Sequence, residues 1–186
     1  MSTIATTNIK HASSSSNNIV LGSDGSAYMP GHIIQVVSTF KDDTFSTSSG
    51  SYVDITGFSI TITPSATSSK ILILTSVGWG NSLSSEAFVP FQLVKVVGGT
   101  ASNIAEPSDT TQTYPGTVVV SNPNTNAQWS LQRTDHNFLD SPATTAAVTY
   151  KWQILTASSS TTYINRRAEN TAMPTTSSIT AMEVAA

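Results

Sequence analysis

The sequence predicts an all-β fold: a jelly-roll-like sandwich of about eight strands, preceded by an extended N-terminal arm. Three observations lead there. Short β-branched and aromatic runs recur along residues 31–186, divided by Gly, Pro, Asn and Ser turns. Several of these runs alternate apolar and polar side chains, and no stretch sustains a helical period. Residues 1–30 carry too little apolar content to fold alone. Eight strands in two sheets is the count of a jelly roll, and an immunoglobulin-like sandwich of seven is the alternative.

The arm, residues 1–30, joins the low-complexity run Ser13–Asn18 to the apolar patch Ile19, Val20 and Leu21 and a second turn cluster at Gly22–Gly25. One copy buries almost nothing, whereas three copies about an axis bury Ile4, Ile9, Ile19 and Leu21 against each other. The alternative is a leader with no fixed structure. Pro30-Gly31 closes the arm and HIIQVV (32–37) reads as the first strand of a domain spanning 31–186.

Residues 41–50 read as a polar loop. In 51–64 the apolar parity switches from odd (Val53, Ile55) to even (Phe58, Ile60, Ile62) at Gly57, which predicts a β-bulge there. KILILTSVGWG (70–80) is the most continuous apolar run and reads as a central strand. In 88–97, Pro90 suggests an edge or entry position. Residues 98–116 read as a long polar connection with a turn at Gly98-Gly99, followed by a short strand at 118–120 and a turn at 122–126. QWSLQR (128–133) and Phe138-Leu139 read as short pieces with a loop between. In 146–155, Val148, Tyr150, Trp152 and Ile154 share one face, and strands at 162–167 and 178–184 close the chain.

Composition narrows the function classes. Cys is absent, so there is no disulfide frame and no thiolate metal site. Only 10% of residues are charged, and the net charge is -3. Ser and Thr hydroxyls solvate the chain instead. The 8 Lys and Arg residues are scattered in sequence, which disfavours a nucleic-acid partner. No apolar run reaches the length of a membrane helix, and MSTIATTNIK does not read as a signal peptide.

No catalytic or cofactor constellation emerges, and the expectation is a protein that is not an enzyme and binds no cofactor. His11, His32 and His136 lack ligand spacing, although His11 or His32 could meet its copies across a trimer axis. There is no nucleophile elbow, phosphate loop or dinucleotide fingerprint. Asp42-Asp43 reads as loop solvation, not a carboxylate pair for glycoside hydrolysis. Among the aromatics, Trp152 is assigned to the core or an interface. For Trp79 and Trp129 burial is the favoured reading, and stacking on a sugar ring is the alternative that makes them candidate surface aromatics. Of the adjacent Arg166 and Arg167, one is expected to pair with an acid such as Glu183.

The segments NIKHASSSSNNIVLGSDGSAY (8–28) and PGHIIQVVS (30–38) resemble the start of a group of phage virion proteins of the tail-fibre type, from phages of aquatic bacteria. The close, with Tyr163, Ile164, Asn165 and Arg166 before Met182, Glu183 and Val184, resembles the end of the same group's β-rich C-terminal domains, and ITITPSATSSKILILTSVGWG (60–80) fits its middle. The resemblance implies a homotrimer with a jelly-roll or tumour-necrosis-factor-like C-terminal domain. It implies a virion location, with another virion protein as partner through Ile4, Ile9, Ile19, Val20 and Leu21. A host cell-surface glycan is the further expected partner. The loops 41–50, 98–116 and 122–126 are expected at the tip or rim. The alternatives are a capsid decoration, cement or head-fibre protein, and a carbohydrate-binding module outside any virion.

Overall fold

A computed structural model describes residues 6–13, 15, 19–21, 23, 27–29, 31–109, 111, 113–123, 126–157 and 159–185, with Val20 and Tyr28 described by their backbone alone. The arm supplies three short antiparallel strands, β1 (Asn8–Ile9), β2 (Ile19–Leu21) and β3 (Ala27–Tyr28), which pair in that order. After the arm come β4 (Ile33–Lys41), β5 (Phe45–Thr47), β6 (Val53–Ile62), β7 (Lys70–Asn81), β8 (Ala87–Val97), β9 (Thr100–Ile104) and β10 (Val118–Asn122). A 3-10 turn at Ala127–Trp129 leads to β11 (Gln132–Asp140), β12 (Val148–Ile154), β13 (Thr162–Ile164) and β14 (Ser177–Val184).

Two antiparallel sheets form a sandwich. One carries β4, β14, β7 and β11 in spatial order, and the other carries β6, β12, β8 and β10. Counting these eight long strands along the chain, the sheets run first-eighth-third-sixth and second-seventh-fourth-fifth. That is the jelly-roll order of two interlocked Greek keys, as the strand count predicts. The short β13 pairs with β7 beyond the start of β14, with β5 beside it, and β9 pairs with β8 beyond the start of β10.

The registers give the sandwich two distinct ends. Lys41 lies opposite Ser177, Trp79 opposite Gln132, and Ile154 opposite Val53. The connections 42–52, 82–86, 123–131 and 155–176 therefore gather at one end. At the other lie 63–69, the Gly98-Gly99 turn and 141–147. The arm also joins there, since Gly31 N–H donates to Ala185 O (2.7 Å) and Ala185 N–H to His32 O (2.9 Å).

The core fills from strand alternation. Val148, Tyr150, Trp152 and Ile154 are all buried, as their shared parity predicts. On β6 the inward set is Ile55, then Phe58, Ile60 and Ile62. The ladder to β12 shifts between Lys151 and Gln153, opposite Ser59 and Asp54, and Gly57 takes φ +74 inside that irregularity. The predicted bulge thus stands where the parity switches. Lys41 fills the space beside it, donating to Thr56 O (2.7 Å) and pairing with Asp43 (2.6 Å).

Three local expectations are corrected and a fourth is narrowed. Residues 41–50 hold strand β5 and begin at a buried Lys41, because Phe45 packs on the core. β8 is an interior strand, so of the two positions that Pro90 suggests the edge is excluded and the entry holds. Pro90 sits one residue beyond Phe91, where the ladder to β12 ends, so the missing N–H is not required there. The 98–116 connection turns back at once at the arm end into β9, and only its close reaches towards the 42–52 connection, where Pro115 O accepts from Tyr52 Oη. β11 is one continuous strand of 9 residues, not two pieces. Its inward positions are Gln132, Thr134, His136, Phe138 and Asp140, so it has no apolar alternation to read.

Asn165 is the corner at which the chain leaves β13. Its side chain is fully buried at φ +65. Nδ2 donates to Lys41 O (2.9 Å) and Asp43 O (2.8 Å), and Oδ1 accepts from Ser177 Oγ (2.6 Å). Its backbone N–H donates to Gly78 O and its carbonyl accepts from Thr175 N–H, both at 2.9 Å. One amide thus ties the ends of β4 and β14 to β7. Glu183, also buried, is the corresponding tie at the arm end. Burial works to raise its pKa, but hydrogen bonds from Gln35 Nε2 and from Ser65 N–H and Oγ outweigh burial and hold it below the usual carboxylate value. The expected pairing with an arginine is therefore corrected: Arg166 donates to the carbonyls of Arg167 and Ala168 instead.

The packing of these polar groups can be tested by substitution. Asn165→Ala strands two buried partners, Lys41 O and Ser177 Oγ, and the part-buried Asp43 O, and is expected to cost about 3 kcal/mol in denaturant unfolding. Asn165→Gly, which keeps the left-handed backbone accessible, should lose less than Asn165→Ala. His136 points inward against the Trp152 ring (5.8 Å between centroids), and its buried Nε2 meets no hydrogen-bond partner among the described residues. Burial pushes its pKa below the ordinary value of 6.5. As pH falls through 6.5 the unfolded chain takes up a proton that the folded chain resists, so folding stability declines towards the lower, folded pKa. His136→Phe should shrink the stability difference between pH 7 and pH 5; an unchanged difference would assign it to other groups.

Candidate functional site

The two outer faces of the sandwich differ in chemistry. On the β6-β12-β8-β10 sheet, Lys151 pairs with Asp54 (2.7 Å), Gln153 donates to the same carboxylate (2.8 Å), and Thr61 bonds Thr149 (2.7 Å). Glu106 and residues 115–117 lie along β8. Gln92 donates to Glu106, Leu93 N–H to Thr117, and Tyr52 Oη to Pro115 O. Burial, with the Glu106 carboxylate, pushes the Tyr52 pKa up to about 12. Gly116 fits there because a Cβ would stand 2.8 Å from the Phe91 carbonyl oxygen. An open cavity of about 410 Å³ beside this segment is lined by Pro107, Tyr114, Pro115 and Val119.

The outer face of β4-β14-β7-β11 carries one apolar row across its width, beside rows that are mostly hydroxyl, amide and carboxylate. The registers align Val36, Met182, Leu72 and Leu139 in one row over all four strands. The next row is Ser38, Thr180, Leu74 and Asn137, and the next Phe40, Ser178, Ser76 and Asp135. Val36 is 55% exposed, Phe40 64% and Leu139 47%. Ile33 and Ile34 extend the apolar surface to the base of the arm. A single folded chain gains nothing by exposing these side chains together, and contiguous apolar patches of this kind mark interaction sites. The signal was present in the sequence. IIQVV and ILIL place apolar residues at both parities, which a strand needs only when both of its faces are covered.

Towards the end away from the arm, this face is closed by residues 165–175. Gly78 and Gly80 present no side chain outward, so the loop lies directly on β7. A Cβ on Gly80 would meet Arg166 O at 2.7 Å, and one on Gly78 would overlap Thr175. Trp79, between them, points inward and is 1% exposed, which agrees with the favoured reading of burial and removes it as a candidate surface aromatic. The flanking glycines serve the loop, not access to the indole. Trp129 is 50% exposed on the 3-10 turn, with the Arg167 guanidinium 5.1 Å from its ring. Arg166 stacks on Tyr163 at 3.8 Å. Arg133, at the start of β11, donates to Ser76 Oγ, Thr175 Oγ1 and Thr176 O.

Of the arm residues singled out, Ile9 is half exposed on β1, and Ile19 and Leu21 are partly buried on β2. Val20 pairs through its backbone with Asn8 and Tyr28, and Ile4 lies outside the described residues. Among the described residues no three His, Asp or Glu side chains gather as metal ligands, and no helix is long and apolar enough to cross a membrane. Asp135 and His136, adjacent in sequence, project from opposite faces of β11.

No protein-family model and no curated protein sequence matches the chain. It is similar to solved structures from infectious bursal disease virus. One, of the Gt strain, is 11% identical with a TM-score of 0.42, over 91% of this chain and 47% of that one. Another, of a VP2 subviral particle, is 16% identical with a TM-score of 0.38, over 82% of this chain and 38% of that one. The chain thus spans less than half the length of the chains it matches. At these scores and identities the likeness does not extend to function.

Proposed function

We propose that the protein is a virion structural protein: a homotrimeric short fibre of the tail-fibre type, attached through its arm and touching the host surface with the sandwich. The observation that carries this reading is the apolar row Val36, Met182, Leu72 and Leu139 on a solvent-facing sheet, continuous with the base of the arm through Ile33 and Ile34. Self-association about an axis buries such a face once per copy and brings the arms side by side. There Ile9, half exposed in one chain, gains neighbours. The two-ended sandwich supports the same division of labour. Attachment belongs to the end where Gly31 and His32 bond Ala185, and host contact to the opposite end, with Trp129 and the loops 42–52 and 123–131. The mechanism is binding, with three weak contacts acting together.

A second reading, a decoration protein on the capsid shell, is favoured by the same apolar face if shell subunits cover it instead of copies of this chain. The two differ in the free protein. Light scattering on the purified full chain should give a mass near three chains under the fibre reading, and Val36→Lys with Leu139→Lys should reduce it to one. A wild-type monomer at micromolar concentration would remove the homotrimer and leave the shell-bound reading. Deleting residues 1–30 should leave a sandwich that still unfolds cooperatively but no longer joins the particle. Failure of that truncated chain to fold would make the arm part of the core.

A further inference from the structure

We propose that the open cavity between residues 107–115 and β10 binds a neutral saccharide, with the Tyr114 ring against a sugar face and Asp109 and Thr113 bonding its hydroxyls. This names the ligand class for host contact and rests on the reading above. The cavity lies on the outer side of the β6-β12-β8-β10 sheet, so it stays open when the apolar row on the other sheet is covered. β10 runs from opposite Phe91 to opposite Ala87, which puts the cavity in the half of the sheet away from the arm.

The wall of the cavity is tied in place. Residues 105–117 join β9 to β10 with no regular element among those described, and their two ends meet. Thr117 Oγ1 donates to Ile104 O (3.0 Å) and accepts from Leu93 N–H (2.9 Å). Compact surface loops closed in this way are commonly functional. Gln92 fixes Glu106 (2.6 Å), Tyr52 Oη fixes Pro115 O (2.6 Å), and Gly116 lies against the Phe91 carbonyl. Pro107 and Pro115 restrict the backbone on either side.

The lining combines three kinds of group. Pro107, Pro115 and Val119 are apolar, Tyr114 offers a ring that is 41% exposed, and Asp109 and Thr113 are polar. Asp109 Oδ1 accepts from Thr111 N–H (3.0 Å) and Oγ1 (2.6 Å), which orients the carboxylate. Phe88, half exposed, stands diagonally from Val119 across the β8–β10 ladder, so apolar contact continues beyond the cavity for a second ring. A saccharide carries the matching mixture: C–H faces that pack on apolar and aromatic groups, and hydroxyls that need acceptors and donors. Among the described lining residues there is no Lys, Arg or His, and a carboxylate without a cation opposes an anionic ligand. A wholly apolar ligand would strip water from Asp109 and Thr113 without replacing its hydrogen bonds. The volume of about 410 Å³ lies in the range of small-ligand sites.

The test is titration calorimetry on the purified full chain. The probes are neutral tetrasaccharides of hexose, of N-acetylhexosamine and of 6-deoxyhexose, a tetrasaccharide of uronic acid, and tetramethylammonium chloride, a cation that would use Tyr114 and Asp109 without the hydroxyl chemistry. At least one neutral tetrasaccharide is expected to give saturable heat, with the uronic acid weaker by roughly tenfold and no heat from tetramethylammonium. Tyr114→Ala should abolish the heat, and Tyr114→Phe, which keeps the ring, should retain most of it. Asp109→Asn keeps an acceptor for Thr111. It should weaken the neutral sugar by roughly tenfold and narrow the discrimination against the uronic acid, with an unchanged unfolding midpoint. Trp129→Ala should leave the heat as it is. No saturable heat with any of the three neutral probes, tighter binding of the uronic acid, or saturable binding of tetramethylammonium in their place would overturn the proposal. So would full binding in Tyr114→Ala or its loss in Trp129→Ala. Heat is read per chain and without the particle, so a failure here leaves the fibre reading to be judged by mass and arm deletion, and a monomer leaves this site standing.

Discussion

The amide of Asn165 is the small group on which the arrangement turns. A jelly roll pairs its first and last strands, and at the end away from the arm that ladder stops at Lys41 and Ser177, where the chain must also leave β13. One buried side chain supplies both donors and an acceptor there, to Lys41, Asp43 and Ser177. Its left-handed backbone turns the chain out of β13 and onto the outer face of β7. Asn tolerates that conformation and offers a matched set of polar atoms; Gly has the first without the second, and Ala has neither. Everything beyond it, including the loop that carries the arginines, is placed by this corner.

From that corner the sandwich acquires its asymmetry. One outer face is mostly polar, with Glu106 and residues 115–117 laid along it, and it leaves Phe88 and Val119 exposed towards β10. The other carries one apolar row over four strands, and near Gly78 and Gly80 the 165–175 loop covers it. An antiparallel sheet ordinarily has one wet face, with polar side chains alternating outward. Here the row from Val36 to Leu139 breaks that rule, and a break in local consistency of this size belongs to a binding surface more readily than to folding. The arm shares the character, since its three short strands leave Ile9 half exposed.

How much of this was legible in the sequence depended on whether the inward residues were apolar. β12, with Val148, Tyr150, Trp152 and Ile154, could be read directly, and so could the bulge, because Gly57 marks the point where parity flips. β11 could not be read, since its inward side chains are mostly polar and its pairing with β7 supplies the order. Pro90 left edge and entry both open, because its effect depends on where a neighbouring strand stops, which is a tertiary fact. Trp79 left exposure open beside burial for a related reason. Glycines beside an aromatic suggest an open approach to its ring, but they were clearing the opposite face for a loop. The arginines were invisible as a group because Arg133 lies far from the other two along the chain, and only the fold gathers them.

The seating of that loop has a consequence for how the protein can change. What fixes residues 165–175 is mostly main chain: the backbone of Arg166 and Arg167 rests on Gly80, and Arg166 bridges to Pro174. Contacts made by backbone atoms do not read the side chains above them. The stretch from Arg167 to Met173 can therefore be rewritten residue by residue while its support stays constant. The support itself, Gly78, Gly80 and Asn165, admits almost no substitution. A permissive surface on an unforgiving seat lets recognition drift quickly on a scaffold that stands still.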